Sequence, residues 1–285
     1  MSRCGSFAGY TYPNGVSSTL QYDGLNRLTS LGAQSAAGPV ASYAYTLGAA
    51  GNRTGATELS GRKVAYGYDN LYRLTSETIS NDASGMNGAV SYQYDAVGNR
   101  KQRTSSLAAI PSSGLLYYDS NDRISTDLND SNGNTIGFGG IQSTYDFENH
   151  LVAYGGVALT YDGDGNRVAE TMGGVTTNYL VDTLNPTGYA QVLDELQSST
   201  VTRSYTWGQQ LIGETQAING TSTTSYYGFD GHGSVRFLTN ATGTVTDSYD
   251  YDAFGRVPQF PRRAFAALTW EATPPWLLSF ATPNH

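Results

Sequence analysis

Residues 94–100 read Tyr-Asp-Ala-Val-Gly-Asn-Arg, and this pattern, a Tyr-Asp pair separated by three or four residues from an arginine, decides the fold. The complete copies place tyrosine, aspartate and arginine at Tyr22, Asp23, Arg27; Tyr68, Asp69, Arg73; Tyr94, Asp95, Arg100; Tyr118, Asp119, Arg123; Tyr161, Asp162, Arg167; and Tyr251, Asp252, Arg256. Degenerate copies run from Tyr45 to Arg53 and from Tyr145 to His150. A unit repeated this often indicates architecture, because chemistry is rarely performed once per copy.

The spacing of the motif predicts a series of β-hairpins. The first six motif tyrosines are separated by steps of 23, 23, 26, 24 and 27 residues, which is the scale of a solenoid repeat. Between copies, segments such as 64–68 and 74–79 alternate apolar and polar residues over the length of a strand. Glycine takes a positive φ at little cost, and Asn or Asp bonds its local backbone, so the motif is expected at the bend of each hairpin. We therefore predict an all-β chain.

Arginine is used with a bias that predicts its role in the motif. Seven of the fourteen arginines occupy the motif position, whereas the chain contains only two lysines. A planar guanidinium can stack on a ring and pair with a carboxylate, which a point charge does less well. We expect each motif arginine to stack on a tyrosine of its own or an adjacent repeat and to pair with the motif aspartate. Ordinary surface charge is the alternative, and under both interpretations the motif is structural.

Composition excludes several classes of function. Sixteen basic and twenty-four acidic residues give a net charge of −8, which argues against nucleic acid as the partner. No apolar run is long enough to predict a membrane span, and the N-terminus lacks the apolar core of a signal peptide. Cys4 is the single cysteine, so neither an internal disulfide nor a cysteine-based zinc site is expected.

The second half of the chain contains less periodic tracts at 178–195, 205–213, 226–240 and 247–256. Together with the motif copies, these tracts resemble the C-terminal part of RHS proteins, the YD-repeat family that includes components of insecticidal toxin complexes and the teneurins. The resemblance covers about residues 18–257. It divides the chain into an N-terminal segment 1–17, a YD-repeat β-sheet 18–177, a region 178–257 similar to the RHS-associated core, and a divergent tail 258–285 that contains proline and tryptophan.

The resemblance implies a curved, spiralling β-sheet that forms part of a shell. In full-length bacterial relatives such a shell encapsulates a C-terminal toxin or effector, so the implied partners are other parts of a longer shell and this cargo. It also implies a secreted or cell-surface location for the full-length parent. The teneurins imply an alternative, a cell-surface adhesion or glycan-binding module. Because the tail lacks the Asp-Pro stretch at which relatives cleave themselves, we expect a non-enzymatic fragment, and its open strand edges favour self-association.

Two further stretches are candidates for chemistry, and both are expected to be turns. Residues 162–166 begin like a calcium loop, but Arg167 and Gly173 stand where an EF-hand has glycine and glutamate. His232 is flanked by glycines, yet no Gly-x-Ser-x-Gly elbow accompanies it.

Acidic residues near the end of the second half leave two interpretations open. The resemblance makes Asp250 and Asp252 candidates for remnants of a self-cleavage site. A glycosidase-like acidic pair also stays open among the many aspartates, although turns account for most of them. We name no catalytic residue, no metal site and no cofactor.

Overall fold

A computed structural model describes residues 7–218 and 220–256, and within these ranges the chain consists of strands and turns without a helix. The predicted tail 258–285 and the first six residues lie outside the described part. No described segment is a helix long and apolar enough to cross a membrane.

The described residues form 22 strands. They are β1 (Gly9–Thr11), β2 (Ser17–Tyr22), β3 (Leu28–Ser35), β4 (Gly38–Leu47), β5 (Arg53–Glu58), β6 (Lys63–Tyr68), β7 (Leu74–Ser80), β8 (Gly88–Tyr94), β9 (Arg100–Ser105), β10 (Leu128–Asn129), β11 (Thr135–Phe138), β12 (Ile141–Tyr145), β13 (Leu151–Tyr154), β14 (Val157–Tyr161), β15 (Arg167–Met172), β16 (Val175–Asp182), β17 (Gln191–Gln197), β18 (Thr200–Trp207), β19 (Leu211–Ile218), β20 (Thr221–Phe229), β21 (Val235–Thr239) and β22 (Val245–Ser248).

The strands form two sheets in which neighbours in space are neighbours in sequence. The first sheet has the order β1 to β9 and the second the order β10 to β22. Adjacent strands are antiparallel, as in the pairing of Leu31 with Tyr43 between β3 and β4. Within each sheet the connections therefore join neighbouring antiparallel strands, and the prediction of an all-β fold built from hairpins is confirmed.

The chain divides into two compact units. Among the described residues, unit 1 comprises 7–116 and 227–256, and unit 2 comprises residues within 117–226. Unit 1 thus combines the first sheet with β21 and β22, which come from a distant part of the sequence. The predicted boundary between repeats and core region at residues 177 and 178 stays a prediction.

The two faces of the first sheet differ in composition because side chains alternate along each strand. One face, here called the inner face, bears large buried side chains that include Leu31, Tyr43, Val64, Glu77 and Tyr92. The opposite face bears small or polar side chains, among them Thr19, Thr57, Thr78 and Ser91, which are exposed. The inner face is therefore the side on which the core of unit 1 forms.

Two segments cover the inner face. The loop after β9 adds Leu107 and Ile110 to a buried cluster with Val64, Ile79 and Val90. The second cover is the stretch 227–256, here called the terminal segment, whose contacts with the sheet are described below. Burying this apolar area is the main favourable contribution to the stability of unit 1.

Candidate functional site

The Tyr-Asp motif forms a five-residue hairpin turn with one bonding pattern, seen clearly at Asp69. The Asp69 N–H donates to the Arg73 carbonyl at 3.0 Å, and the Tyr72 N–H donates to the Asp69 carbonyl at 3.0 Å. The Asp69 Oδ1 atom accepts the N–H groups of Leu71 and Arg73 at 2.9 and 3.0 Å. Tyr72 has a φ of +59°, and the register shifts at Tyr68. This is a type I turn followed by a left-handed residue and a bulge, in which the aspartate satisfies the inner donors.

The fourth residue of the turn is the position that requires the left-handed conformation. Glycine fills it in the copies with the longer spacing, such as Gly98 and Gly165, with φ of +110° and +80°. Asn26, Tyr72 and Asp122 fill it in three of the shorter copies, with φ of about +60°, and Gly255 fills it in the last shorter copy, with φ of +77°. Asparagine and aspartate tolerate this region better than other non-glycine residues, which explains two of the three choices.

Three further turns with the same bonding pattern lack the tyrosine or the arginine, and sequence reasoning missed them as copies. In each, an Asx side chain accepts the N–H of the residue four positions later and a glycine stands fourth; they are 130–134, 230–234 and 240–244. An Asx residue followed three positions later by glycine was the available signal. His232 lies at the third position of one of these turns, and its N–H donates to Asp230 Oδ1 at 2.8 Å.

The spacing between aspartate and arginine decides what the arginine does. In three of the four copies in which the arginine is the fourth residue after the aspartate, its side chain returns to the carboxylate. Arg27 approaches Asp23 at 2.6 Å, and Arg123 approaches Asp119 at 2.6 Å. The hydrogen bonds from the Arg123 side chain and backbone lower the pKa of Asp119 to about 2. These pairs are partly exposed, so each contributes modestly to stability.

Where the arginine is the fifth residue, an asparagine takes its place at the carboxylate. The Asn99 amide donates to Asp95 Oδ2 at 3.0 Å, and the displaced Arg100 extends over the ring of Phe254 at 4.0 Å. Arg53 likewise lies over Tyr45 at 4.0 Å. One additional residue between the aspartate and the arginine makes the arginine side chain point to the opposite face of the strand, because side chains alternate along a strand.

The expectation that every motif arginine both stacks and pairs is therefore wrong as a general rule. Arg73 does both, since it binds Asp69 at 2.7 Å and lies 5.0 Å from the ring centre of Tyr94. Elsewhere the two roles are divided between the short and the long copies, as Arg167 over Tyr179 at 5.4 Å illustrates. The side chain of Arg256, in the last copy, is exposed.

The motif tyrosines link successive hairpins. The hydroxyl of Tyr68 donates to the carbonyl of Arg53, the first residue of β5, at 2.7 Å. Tyr94 donates in the same way to Leu74, the first residue of β7, at 2.7 Å. Tyr22 and Tyr161 bond to the carbonyls of Phe7 and Leu151 at 3.0 Å each. Burial raises the pKa of Tyr68, Tyr94 and Tyr161, so these hydroxyls stay protonated donors.

The terminal segment is anchored to the first sheet by Arg236 on β21. Its guanidinium lies 3.0 Å from Glu58 of β5, 3.3 Å from Asp230 and 2.6 Å from Asp250. It also lies over the ring of Tyr43 at 5.0 Å, and its side chain is only 11% exposed. Asp250, one candidate remnant of a cleavage site, therefore serves as a partner of a buried arginine.

A second anchor lies at the last motif copy. Glu77, which is 1% exposed, accepts the Tyr92 hydroxyl at 2.7 Å and the N–H of Ala253 at 3.1 Å. Burial raises the pKa of Glu77, and the charge of Asp252 raises it further. The ring of Phe254 packs edge-on against Tyr92 at 4.8 Å. Asp252 is buried and caps its own turn through Oδ1, which accepts the Phe254 N–H at 2.9 Å.

Backbone contacts complete the anchoring of this segment. The Gly231 N–H donates to the Tyr45 hydroxyl at 2.7 Å, and Arg53 donates to the Gly231 carbonyl. A Cβ atom on Gly231 would stand 2.4 Å from Leu28 Cδ2 and 2.8 Å from the Tyr45 ring, so a larger residue here would displace these side chains. At the other end of the segment, the Asn14 amide donates to the Asn240 carbonyl at 2.8 Å.

One group of possible metal ligands occurs among the described residues, at the degenerate copy in unit 2. Asp146, Glu148 and His150 place ligand atoms within 4.8 Å of one another. Asp146 Oδ1 accepts the backbone N–H groups of Glu148 and His150 at 2.9 Å, and Oδ2 lies 3.2 Å from His150 Nδ1. The His150 ring stacks on Tyr161 at 4.7 Å. These are the contacts of a motif turn in which histidine replaces arginine.

Unit 2 has a charged sheet face of its own. Arg203 lies 3.8 Å from Glu195 and 3.6 Å from Glu214, and the side chains of all three are 12 to 13% exposed. The Tyr205 hydroxyl donates to Glu195, and burial raises the pKa of Tyr205. The register places Glu195 on β17 opposite Arg203 on β18, and Tyr205 on β18 opposite Glu214 on β19.

Comparison with known proteins gives the fold a context. No protein-family model matches the chain. It is 30% identical over 203 residues to the tRNA nuclease WapA of Bacillus subtilis (strain 168), and 30% identical over 205 residues to the tRNA3(Ser)-specific nuclease WapA of Bacillus spizizenii. These matches cover 66% of this chain and 8% of each WapA protein, so the chain spans about a twelfth of the length of these curated relatives.

Solved structures show the likeness of fold. A chain of the Photorhabdus luminescens Tc holotoxin pore matches with a TM-score of 0.68 and 16% identity, over 88% of this chain and 15% of that one. A chain of the TcdB2–TccC3 complex without its hypervariable C-terminal region matches with a TM-score of 0.67 and 16% identity, with the same coverage. The sequence resemblance is thereby confirmed at the level of the fold: the chain has an RHS-like, all-β fold.

Proposed function

We propose that this chain is a non-enzymatic part of the wall of an RHS shell, and that in its longer relatives the wall encloses a C-terminal toxin or effector. The observation that carries the proposal is the match of fold to the Tc toxin structures over 88% of the chain. The proposed partners are the other parts of a longer shell and the enclosed cargo. The proposed location of the full-length parent is outside the cell or at its surface.

The use of the motif side chains supports a wall rather than a binding or catalytic surface. Asp23, Asp69 and Asp119 are occupied by their turns and by the arginines that follow them. The hydroxyls of Tyr68 and Tyr94 bond to the backbone of the preceding strand. Adhesion or glycan binding through these tyrosines would compete with the bonds that link the hairpins, so the wall is the favoured function.

The activity in the names of the WapA proteins belongs to those whole proteins, of which this chain matches 8%. We assign no nuclease activity and no nucleic-acid partner to this chain, and the net charge of −8 supports that assignment. Incubation of the purified chain with tRNA is expected to leave the RNA intact. Cleavage at a rate proportional to the protein concentration would overturn the non-enzymatic part of the proposal.

Protection of the cargo is the direct test of the wall. An antibody against this chain recovers the native protein from the cells that produce it, and the recovered assembly is treated with protease in buffer and in urea. We expect one polypeptide outside the wall sequence to resist cleavage in buffer and to be cut once urea opens the sheets. Equal cleavage of that polypeptide in buffer and in urea would contradict the proposal that the wall encloses it. Specific retention of the chain on a glycan array would instead favour adhesion.

A further inference from the structure

One turn of unit 2 carries a histidine where the other copies of the same spacing carry the motif arginine. In the turns of Asp23, Asp69 and Asp119, the guanidinium lies 2.6 to 2.7 Å from the carboxylate Oδ2 atom. In the turn that begins at Asp146, the corresponding atom is Nδ1 of His150, at 3.2 Å from Oδ2. An imidazole nitrogen can release its proton and coordinate a metal ion, which a guanidinium cannot do. The replacement therefore places a metal-ligating atom where the other turns have a fixed cation.

Glu148 adds a second carboxylate to this turn. It stands two residues after Asp146, at a position that holds Leu25 and Leu71 in two other turns. Glu148 Oε2 lies 3.9 Å from His150 Nδ1, and one ligand atom from each of the three residues lies within 4.8 Å of the others. A zinc ion binds oxygen and nitrogen at about 2.0–2.2 Å, so it holds its ligand atoms about 3–4 Å apart. Glu148 is 54% exposed, so a small rotation of its side chain brings the three atoms to this spacing.

Two of the three possible ligands are already held in place. Asp146 Oδ1 accepts the N–H groups of Glu148 and His150 at 2.9 Å each, so that Oδ2 faces the imidazole. The imidazole stacks on the ring of Tyr161 at 4.7 Å, with an angle of 19° between the two planes. Binding of a metal ion therefore requires the ordering of one further side chain, that of Glu148, which keeps the entropic cost low.

The next motif turn along the chain provides an internal comparison. In the turn that begins at Asp162, Asp164 supplies a second carboxylate, as Glu148 does in its own turn. The position of the histidine is held there by Asn166, whose amide donates to Asp162 Oδ2 at 3.1 Å. An amide N–H₂ group is a hydrogen-bond donor and offers no lone pair to a metal ion. The two turns therefore share a pair of carboxylates and differ in the nitrogen ligand.

We propose that Asp146, Glu148 and His150 bind one divalent ion of the zinc type, with water in its remaining coordination positions. One imidazole nitrogen and two carboxylate oxygens form a ligand set that zinc accepts. Calcium and magnesium favour oxygen ligands instead. His150 coordinates through Nδ1, and its ring proton is then carried by Nε2. The proposal does not depend on whether the wall encloses a toxin.

Isothermal titration calorimetry of the full chain, freed of metal by dialysis against a chelator, tests the proposal with Zn²⁺ and Ca²⁺ as probes. We expect saturable binding of Zn²⁺ with a Kd between about 1 and about 100 μM, and no saturable binding of Ca²⁺. His150→Arg restores the motif residue, so it should keep the fold and weaken Zn²⁺ binding by about 10-fold or more. The matched controls are His232→Gln, which removes another exposed histidine, and Asp164→Asn, which removes a carboxylate of the comparison turn. Both controls are expected to bind Zn²⁺ like the wild type.

Three results would overturn the proposal. The first is a wild-type chain that binds no Zn²⁺ up to about 1 mM. The second is a His150→Arg variant that binds Zn²⁺ like the wild type, since the ion would then lie elsewhere in the chain. The third is equal binding of Ca²⁺ and Zn²⁺, or loss of binding in either control, which would show unspecific attraction to exposed polar residues. If His150→Arg lacks the β-sheet circular dichroism of the wild type, Glu148→Gln replaces it. That variant should weaken Zn²⁺ binding by about 10-fold, and unchanged binding would equally overturn the proposal.

Discussion

Replacement of Arg236 by alanine tests whether the terminal segment is held by buried charge. The substitution removes contacts with Glu58 at 3.0 Å, Asp230 at 3.3 Å and Asp250 at 2.6 Å. It also removes the hydrogen bond from Nε to the Tyr249 carbonyl at 2.8 Å. The side chain of Asp230 is only 14% exposed, so it would be left buried without this partner, whereas Glu58, 12% exposed, keeps its pair with Arg62 at 2.6 Å.

The burial of these groups sets the size of the expected effect. Removing one partner of a buried ion pair costs about 3–5 kcal/mol, because the remaining charges lose their compensation. The pair between Arg27 and Asp23 has the same chemistry, but its side chains are 32% and 23% exposed. A partly exposed pair contributes about 0.2–1 kcal/mol. We therefore expect Arg236→Ala to lower the free energy of unfolding of unit 1 several times more than Arg27→Ala.

Hydrogen exchange followed by mass spectrometry resolves this difference within the chain. The N–H groups of Gly231 and Ala253 bond to Tyr45 and Glu77 only while the terminal segment is docked. A loss of about 3 kcal/mol in the opening free energy corresponds to exchange faster by a factor of roughly 100 or more. Equal effects of Arg236→Ala and Arg27→Ala on peptides from 227–256 would refute the reasoning, since burial would then play no part.

Three further substitutions or conditions test other contacts. The lowered pKa of Asp119 predicts that its contribution to stability is present above about pH 4 and is lost as the pH falls towards 2. Acid unfolding of the wild type and of Asp119→Asn measures this contribution as the difference between their free energies of unfolding. The raised pKa of Glu77 has the opposite effect on stability, because ionised Glu77 opposes folding as the pH rises. In urea titrations at neutral pH, Glu77→Gln should therefore be at least as stable as the wild type. A clearly lower free energy of unfolding for Glu77→Gln would contradict this. Phe254→Ala should lower the free energy of unfolding by about 2 kcal/mol, which is roughly half the value for a fully buried phenylalanine. Phe147 is 90% exposed, so Phe147→Ala should change the free energy of unfolding by less than about 0.5 kcal/mol in the same urea titration.

The hairpins could be predicted from the sequence because the signals that specify them are local. Alternation over six residues and an Asx-Gly bend lie within one short window, and the structure places a turn at each motif copy. The turns at Asp130, Asp230 and Asn240 carry neither the tyrosine nor the arginine, so the motif does not predict them, although the bonding depends only on the Asx residue. The two roles of the motif arginine depend on its spacing from the aspartate, which the sequence shows, and on which ring or carboxylate lies nearby, which it does not show.

The cover of the inner face could not be predicted in the same way. Arg236 contacts Glu58 across 178 positions, and Ala253 contacts Glu77 across 176 positions. Contacts at such separations leave no periodic pattern, and the residues involved are ordinary strand residues of either sign. The pairing of Glu58 and Glu77 with the terminal segment is specified by the three-dimensional register of the first sheet, which a single sequence does not reveal.

The motif and the inner face are subject to separate physical requirements. Motif residues satisfy turn donors and link successive hairpins, and these contacts do not involve the residues that face the core. Residues between the motifs decide what can pack on the face: Tyr43 and Glu77 accept the terminal segment in unit 1, whereas Glu195 and Arg203 form a charged network in unit 2. The same repeat therefore supports two chemically different faces. Counting motif copies predicts the number of hairpins in such a sheet, and the strand residues between them determine what packs on its faces.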